Sequence, residues 1–274
     1  MGRRVVQTYI EGELNGIIHA DAIGWLLGNV YGLCVSTLVT GSVYSHVFNM
    51  KQTAQHISLT LITKDGTVQQ RAFNACMINT LQLNVAIDDY LRFTASFIGK
   101  AAVANTDTPT YSTSEYDFIA RDVVVKVAST SGGLSGATAV PVKALDITWD
   151  QGIIRDHVVG ALTPNDNYNS HMMIEGNMTL NFSDVTYRDL FLGDTAQYMS
   201  ITITGQADIG AGNFPTITIL LNKVQFMDWN RSGEQNELVT QTVAFRAFYN
   251  ATDQKQSQVT VKNLTTAYVN VPTS

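Results

Sequence analysis

The residue types that could carry chemistry are spread thinly along this sequence of 274 residues. Its histidines are scattered, at positions 19, 46, 56, 157 and 171. His19 with Asp21, and Asp156 with His157, are near enough in sequence to form acid–base pairs. No cluster of cysteines or carboxylates accompanies the histidines at metal-ligand spacing. Residues 88–89, Asp-Asp, are typical of a turn, and glycoside hydrolysis needs two carboxylates that converge in space. The sequence therefore predicts no catalytic residue, no metal site and no cofactor.

A glycine-rich segment is the one stretch that resembles a phosphate or nucleophile motif. Residues 132–136 read Gly-Gly-Leu-Ser-Gly, which lacks the Gly-Lys-Ser/Thr ending of a phosphate-binding loop and the spacing of a nucleophile elbow. Its composition favours a flexible linker. We therefore predict an arm and a first domain over residues 1–128, a linker over 129–140 and a second domain over 141–274.

The composition restricts the classes of protein that are compatible with the sequence. Charged residues make up 15% of the chain and the formal net charge is -6, so a protein that grips nucleic acid through clustered lysine and arginine is disfavoured. The two cysteines, Cys34 and Cys76, are too few for a disulfide framework, and we expect them to be buried thiols. No apolar run approaches membrane-spanning length, and we expect no signal peptide.

Alternation of apolar and polar residues predicts that the fold is mostly β. Residues 77–98 should form a long hairpin that turns at Asp88 and Asp89, and Asp65-Gly66 marks a further turn. Residues 1–16 lack a clear period and favour an extended arm, and residues 106–116 favour a loop. The other strand patterns cover residues 56–62, 123–125, 145–149, 178–182, 199–204, 216–226, 239–248 and 258–265, with residues 230–233 in the loop between the strands of the last hairpin.

Two short helices interrupt this pattern. The first should begin at Asp21 as its N-cap and end at Gly32, with an apolar face at helical spacing. The second should begin at Ser183 as its N-cap, with Asp184 in its first turn, and end at Gly193. The first needs a surface to pack against, because Gly24 and Gly28 each lower its intrinsic helix propensity by roughly 1 kcal/mol.

The two halves of the sequence resemble each other in the order of their patterns. Residues 77–84 match 173–181 with one extra residue, which Gly176 could accommodate as a β-bulge. Residues 93–101 match 199–207 with the alternation in phase. This favours a duplicated β domain, although similar strands can also arise from composition alone.

Several of these segments together resemble the double-domain tail tube proteins of tailed bacteriophages. The similarity depends on the order of short patterns that span most of the chain. They are residues 28–32 with 44–48, 79–83, 93–99, 175–182, 187–193, 201–205, and Gly233 with 238–245.

The resemblance implies a structural subunit with no enzymatic activity. It implies duplicated β-sandwich domains with short flanking helices, whose long strands join across subunits into a continuous β-barrel tube. It further implies rings, trimeric with pseudo-sixfold symmetry, that stack in the viral tail after synthesis in the host bacterial cytoplasm. The implied partners are further copies of the chain, the tape-measure protein, tail terminator and distal tail proteins, and DNA that transits the lumen without sequence-specific binding; no membrane is involved.

One polar strand face is the candidate for the channel wall. Uncharged polar side chains repeat along the alternating strands of both halves, while the apolar phase should pack on an outer layer of sheet and helices. The candidate lumen-facing residues are Thr80, Gln82, Asn84, Thr94, Ser96, Asn177, Thr179, Asn181, Ser200, Thr202 and Thr204.

Two alternatives remain open at this point. The first is a monomeric β-sandwich module that binds carbohydrate or a receptor, which should carry clustered exposed aromatic residues in one half. The second is a tube subunit of an injection machine other than a phage. Assembly into rings distinguishes the first alternative from a tube protein.

Overall fold

The computed structural model describes residues 4–52, 55–108, 116–234 and 236–268. It is mostly β, as predicted, with two short α-helices, α1 (Ile23–Tyr31) and α2 (Thr186–Leu192). The strands of the described residues are β1 (Ile10–Ile17), β2 (Gly32–Thr40), β3 (Val43–Met50), β4 (Leu59–Asp65), β5 (Gln69–Ala86), β6 (Arg92–Gly99), β7 (Ala102–Ala104), β8 (Val123–Ala128), β9 (Val142–Asp150), β10 (Ile154–Asp156), β11 (Asp166–Tyr168), β12 (Met173–Asn181), β13 (Gln197–Thr204), β14 (Thr216–Ser232), β15 (Thr240–Ala247) and β16 (Ser257–Asn263).

Two groups of strands, which share the long strand β14, form the main sheets. Sheet I has the order β1-β6-β5-β9-β12-β15, followed by residues 225–232 of β14. Sheet II has the order β8-β13, then residues 216–224 of β14, then β16-β3-β2. All of these strand pairs are antiparallel.

One hydrophobic core receives the apolar faces of both sheets. Leu81 and Met178 from sheet I and Ile201 and Val259 from sheet II are completely or almost completely buried in the same cluster. Because side chains alternate between the two faces of a strand, the polar residues of each sheet point away from this core. The apolar phase of the alternating patterns is therefore buried, as the sequence predicted.

Helix α1 is buried on nearly all sides and ends where the sequence predicted. Gly32 is its C-cap, with a φ of 80° that favours glycine. The predicted N-cap is wrong: the N-cap position is Ala22, without a side-chain hydrogen bond. The Asp21 carboxylate instead accepts hydrogen bonds from the Leu264 N–H at 3.3 Å and from the Thr265 hydroxyl at 3.4 Å, which ties the C-terminal segment to the helix.

Helix α2 packs its half-buried aromatic and leucine side chains against β14 and the core. The predicted Ser183 cap is wrong, because the helix begins two residues later than predicted, after Val185. The Asp184 carboxylate accepts a hydrogen bond from the Thr186 N–H at 2.9 Å and so satisfies one free amide at the helix start. Gly193 is the C-cap, as predicted.

Several predicted boundaries differ from the structure. Residues 1–16 are not only an extended arm, because residues 10–17 form β1 and pair with β6. The strand predicted over 56–62 begins at Leu59 and ends at Asp65. Residues 230–232 continue β14 instead of forming the hairpin loop. Part of the loop predicted over 106–116, residues 109–115, lies outside the described residues.

The matched segments of the two halves pair differently. Strands β5 and β6 form the predicted hairpin, whereas β12 pairs with β9 and β15, and β13 pairs with β8 and β14. Gly176 is not a bulge, because the register of β12 is regular around it and shifts only between Thr179 and Leu180. The segment predicted as a flexible linker contains a 3₁₀ turn over Gly132–Leu134, in which Leu134 is buried. The division into two domains stays a prediction.

Candidate functional site

Eight of the eleven candidate residues lie together on the polar face of sheet I. Neighbouring strands align them in rows that cross the sheet. One row of cross-strand neighbours is Asn15, Thr94, Gln82, Thr148, Glu175 and Arg246. The next row is Arg92, Asn84, Asp146, Asn177, Ala244 and Asp228. The third contains Thr179, Thr242 and Asn230, and Asn181 pairs with Thr240 beyond it.

Side-chain hydrogen bonds connect neighbours within this face. The hydroxyls of Thr80 and Ser96 lie 2.6 Å apart across β5 and β6. The Asn177 amide donates to the Asp146 carboxylate at 3.2 Å across β12 and β9. These contacts satisfy polar groups without a ligand, so the face is a wetted wall and not a pocket with converging groups.

The polar face also carries charged residues that were not predicted from the sequence to lie there. Carboxylates outnumber guanidinium groups on its strands. The acidic residues are Glu11, Glu13, Asp146, Asp150, Glu175 and Asp228, and the basic ones are Arg92 and Arg246. Arg246 lies 3.3 Å from Glu175, and Arg92 lies 3.1 Å from Asp89 in the adjoining turn. Both arginines are thus paired locally, and Arg155 of β10 pairs with Glu11, which leaves Glu13, Asp146, Asp150 and Asp228 as an excess of negative charge along the face.

The other three candidates, Ser200, Thr202 and Thr204, lie on β13 in sheet II. Thr202 pairs with Thr218 of β14, which in turn pairs with Thr260 of β16. Because both sheets turn their apolar sides towards one core, this second polar face points away from that of sheet I. The structure therefore does not bring these three residues together with the other eight.

Sheet I ends in two open edges. Among the described strands, β1 pairs with β6 alone, and residues 225–232 of β14 pair with β15 alone. Each edge is a row of about eight residues whose outward backbone groups are free to pair with another strand. Such long edges are aggregation hazards in a monomer unless an assembly covers them.

The histidine–carboxylate neighbours in the sequence do not form acid–base pairs with each other. His19 lies 3.0 Å from Asp117, and Asp156 accepts a hydrogen bond from Asn165 at 3.0 Å. His46 is completely buried between Ser36 and Asn263. Within the described parts of the chain, no three histidine, cysteine or acidic side chains are grouped so that they could hold a metal ion.

The two cysteines are free and buried. Burial raises the pKa of the Cys34 thiol and of the Cys76 thiol to about 11 in each case. Both are therefore protonated at neutral pH and unsuited to nucleophilic or redox chemistry.

The comparisons with known proteins give a family match. A family model described as phage tail tube protein matches residues 1–247. No curated protein matches the sequence. Among the helices of the described residues, neither is long and apolar enough to cross a membrane.

Proposed function

This chain belongs to the phage tail tube protein family, and we propose that its copies close into rings in which the polar face of sheet I lines the channel. The family is structural and not enzymatic, and it places the chain in the tail of the virion, where it builds a tube with other tail proteins. The observation that supports the channel assignment is the continuous polar face of sheet I, which ends in two open edges.

The two edges supply the contact that closes the ring. Edge β1 of one copy joins residues 225–232 of β14 in the next copy, so the sheets form one barrel and neither edge remains exposed. Seven antiparallel strands lie in sheet I, and its two edge strands therefore run in the same direction. Copies related by rotation about the ring axis consequently meet at this seam as a parallel pair, if no further strand intervenes.

The chemistry of the polar face suits a channel that conducts DNA. The face carries uncharged polar side chains and more carboxylates than cations. Phosphate groups that pass along it therefore find few cations to bind. The same wetted wall accommodates the tape-measure protein before ejection. The remaining partners that we propose are the tail terminator and the distal tail proteins, which close the two ends of the tube.

We propose a trimeric ring with pseudo-sixfold symmetry. The support is that sheet I contains two related hairpins, β5–β6 and β14–β15. Each begins with a strand of 17 or 18 residues whose first half pairs with strands outside sheet I and whose second half pairs with its hairpin partner. Two related units in each chain halve the number of chains that a sixfold arrangement needs.

Electron microscopy of the purified chain over a concentration series tests this proposal. We expect hollow rings and tubes, and a reconstruction that shows three chains in each ring with Gln82, Thr148 and Asn177 facing the lumen. Rings with sheet II facing inward would contradict the channel assignment, and six chains in each ring would contradict the stoichiometry. A chain that stays monomeric under all conditions would instead favour the carbohydrate- or receptor-binding module.

A further inference from the structure

An exposed apolar loop projects from one end of sheet I. It connects β9 to β12 and contains the small hairpin β10–β11. Val159 at its tip is fully exposed, at 107% of its reference area, and Leu162 is 56% exposed. Val158 and Ile154 beside them are also exposed. A cluster of this kind is unusual on a monomer surface and indicates an interaction site.

Several contacts hold this loop in place. The Thr8 N–H donates to the Leu162 carbonyl at 2.7 Å. Arg155 forms an ion pair with Glu11 and lies 4.1 Å from the centre of the Tyr9 ring. Lys100 lies 3.6 Å from Asp166. The loop is thus presented in a defined position, and less conformational entropy is lost when it binds.

An apolar groove opens at the opposite end of sheet I. It has a volume of about 650 Å³ and lies between the start of β9, the β5–β6 turn and β8. Val85, Val125 and Val142 contribute to its walls, and Ile87 and Tyr90 form part of its rim. Ile87 is 57% exposed, so the groove presents apolar surface to solvent in the isolated chain.

The loop and the groove face in opposite directions along the strands. The groove lies at the start of β9 and the loop follows its end, so nine residues, roughly 27 Å of extended chain, separate them. Two complementary patches at opposite ends of one molecule produce a head-to-tail contact that can repeat without limit. This is the geometry that stacked rings require.

We propose that the loop of residues 154–168 inserts into the groove of a second copy of this chain in the adjacent ring. This inference rests on the proposed function, because it assigns the axial contact between rings whose lateral contact is the sheet edge. The groove is lined by both signs of charge, Asp88 and Asp89 as well as Arg121 and Lys143, so one pair of opposite charges with the loop is available. Asp156 of the loop and Lys143 of the groove each have no oppositely charged group within 4 Å among the described residues.

Single aspartate substitutions at exposed positions test the contact. Val159→Asp changes the loop, and Ile87→Asp changes the rim of the groove. We expect each variant to form closed rings, because the sheet edges are untouched. The tubes should be at least tenfold shorter than those of the unaltered chain, as measured by electron microscopy and sedimentation velocity. Unchanged melting curves check that both variants fold.

Mixing the two variants gives a sharper readout. Preformed Val159→Asp rings keep an intact groove, and preformed Ile87→Asp rings keep an intact loop. Equal amounts should therefore give pairs of rings that cannot grow further, since each pair contains one intact contact and presents only altered patches at its ends.

Val124→Asp is the matched control. Val124 is 40% exposed and lies between the groove residues Val123 and Val125, but points to the other face of β8. It should form tubes of normal length. Normal tubes from Val159→Asp or Ile87→Asp would overturn the inference, and so would folded variants that form no rings. If the unaltered chain itself forms neither rings nor tubes, the proposed function fails instead.

Discussion

At the scale of single residues, Tyr31 connects helix α1 to both sheets. The Trp149 indole N–H donates to the Tyr31 hydroxyl at 2.9 Å, and this hydroxyl also contacts the Ser257 hydroxyl. Burial raises the pKa of Tyr31, so the phenol stays neutral and can both donate and accept. One oxygen thus joins α1, β9 of sheet I and β16 of sheet II.

Replacing Tyr31 with phenylalanine should therefore destabilise the fold. Tyr31→Phe leaves the buried Trp149 N–H without its acceptor, and we expect the free energy of unfolding to fall by about 1–3 kcal/mol. Urea denaturation of the monomer, followed by tryptophan fluorescence, measures this. Tyr168→Phe, at a residue that is 42% exposed, is the control and should change the stability little. Equal stability of the two variants would show that the hydroxyl of Tyr31 is not structurally important.

His46 makes the stability depend on pH. Burial lowers its pKa, and this outweighs the opposite effects of Asn263, the Thr265 backbone and Asp21. Because the unfolded chain binds a proton more readily at this position, the free energy of unfolding should fall as the pH drops through the ordinary histidine value of about 6.5.

Denaturant unfolding at several pH values between 5.5 and 7.5 measures this effect. His46→Gln removes the titrating group and should flatten the dependence, although the variant is less stable at pH 7.5. An unchanged slope in His46→Gln would assign the pH dependence to other residues.

The sequence predicted which residues share the polar face of a strand, but not which of the two sheets that strand belongs to. Thr94 and Thr202 both alternate with buried neighbours, and a period of two reports only that one face of a strand is buried. The sequence likewise did not predict that Asp146 and Glu175 lie on the polar face of sheet I. Their position depends on the pairing of β9 with β5 and β12, a long-range contact that local alternation does not encode.

At the scale of elements, Gly176 shows how β12 and β15 fit together. The Phe245 ring lies over this glycine, and a side-chain carbon there would come within 2.5 Å of the ring and 2.2 Å of the Asp146 carbonyl oxygen. The missing side chain thus makes room for a core aromatic in the middle of sheet I. The sequence predicted a possible β-bulge at this glycine instead, because the space that it leaves is visible only in the folded sheet.

Gly176→Ala should consequently be much more costly than an ordinary exchange of glycine for alanine in a strand. The backbone carbonyl of Asp146 cannot move away as a flexible side chain would, so we expect the free energy of unfolding to fall by about 1–3 kcal/mol or more. Thermal unfolding measures it. Gly132→Ala, where the added carbon meets nothing within 4 Å, should be nearly neutral. A Gly176→Ala variant as stable as Gly132→Ala would show that sheet I adjusts its strand spacing easily.

Strand β14 also exceeds what periodicity can predict. The strand continues for 17 residues, but its partners change from β13 and β16 to β15, and the register shifts between Phe226 and Asp228. The sequence predicted a strand over residues 216–226 and a loop over residues 230–233. The irregularity at this shift interrupts the alternation of apolar and polar residues, so the sequence did not predict the part of β14 that forms the open edge.

At the scale of the whole molecule, the two polar faces allow a direct test of which sheet lines the channel. Gln82 and Thr94 are cross-strand neighbours on sheet I, and Thr202 and Thr218 are cross-strand neighbours on sheet II. Replacing both members of either pair with arginine adds the same charge at partly buried, polar positions. We expect both double variants to assemble, because neither pair lies on an open edge.

Only the pair on sheet I should affect the passage of DNA. In rings of three chains, Gln82→Arg with Thr94→Arg adds six cations to the channel wall, and these bind phosphates with an affinity that falls as salt rises. Ejection from virions built with this variant should be slowed several-fold at low salt and recover at high salt, as measured by release of dye-labelled DNA. Virions with Thr202→Arg and Thr218→Arg should eject at the normal rate. A salt-dependent delay in the second variant alone would place sheet II at the lumen and reverse the orientation of the subunit in the tube.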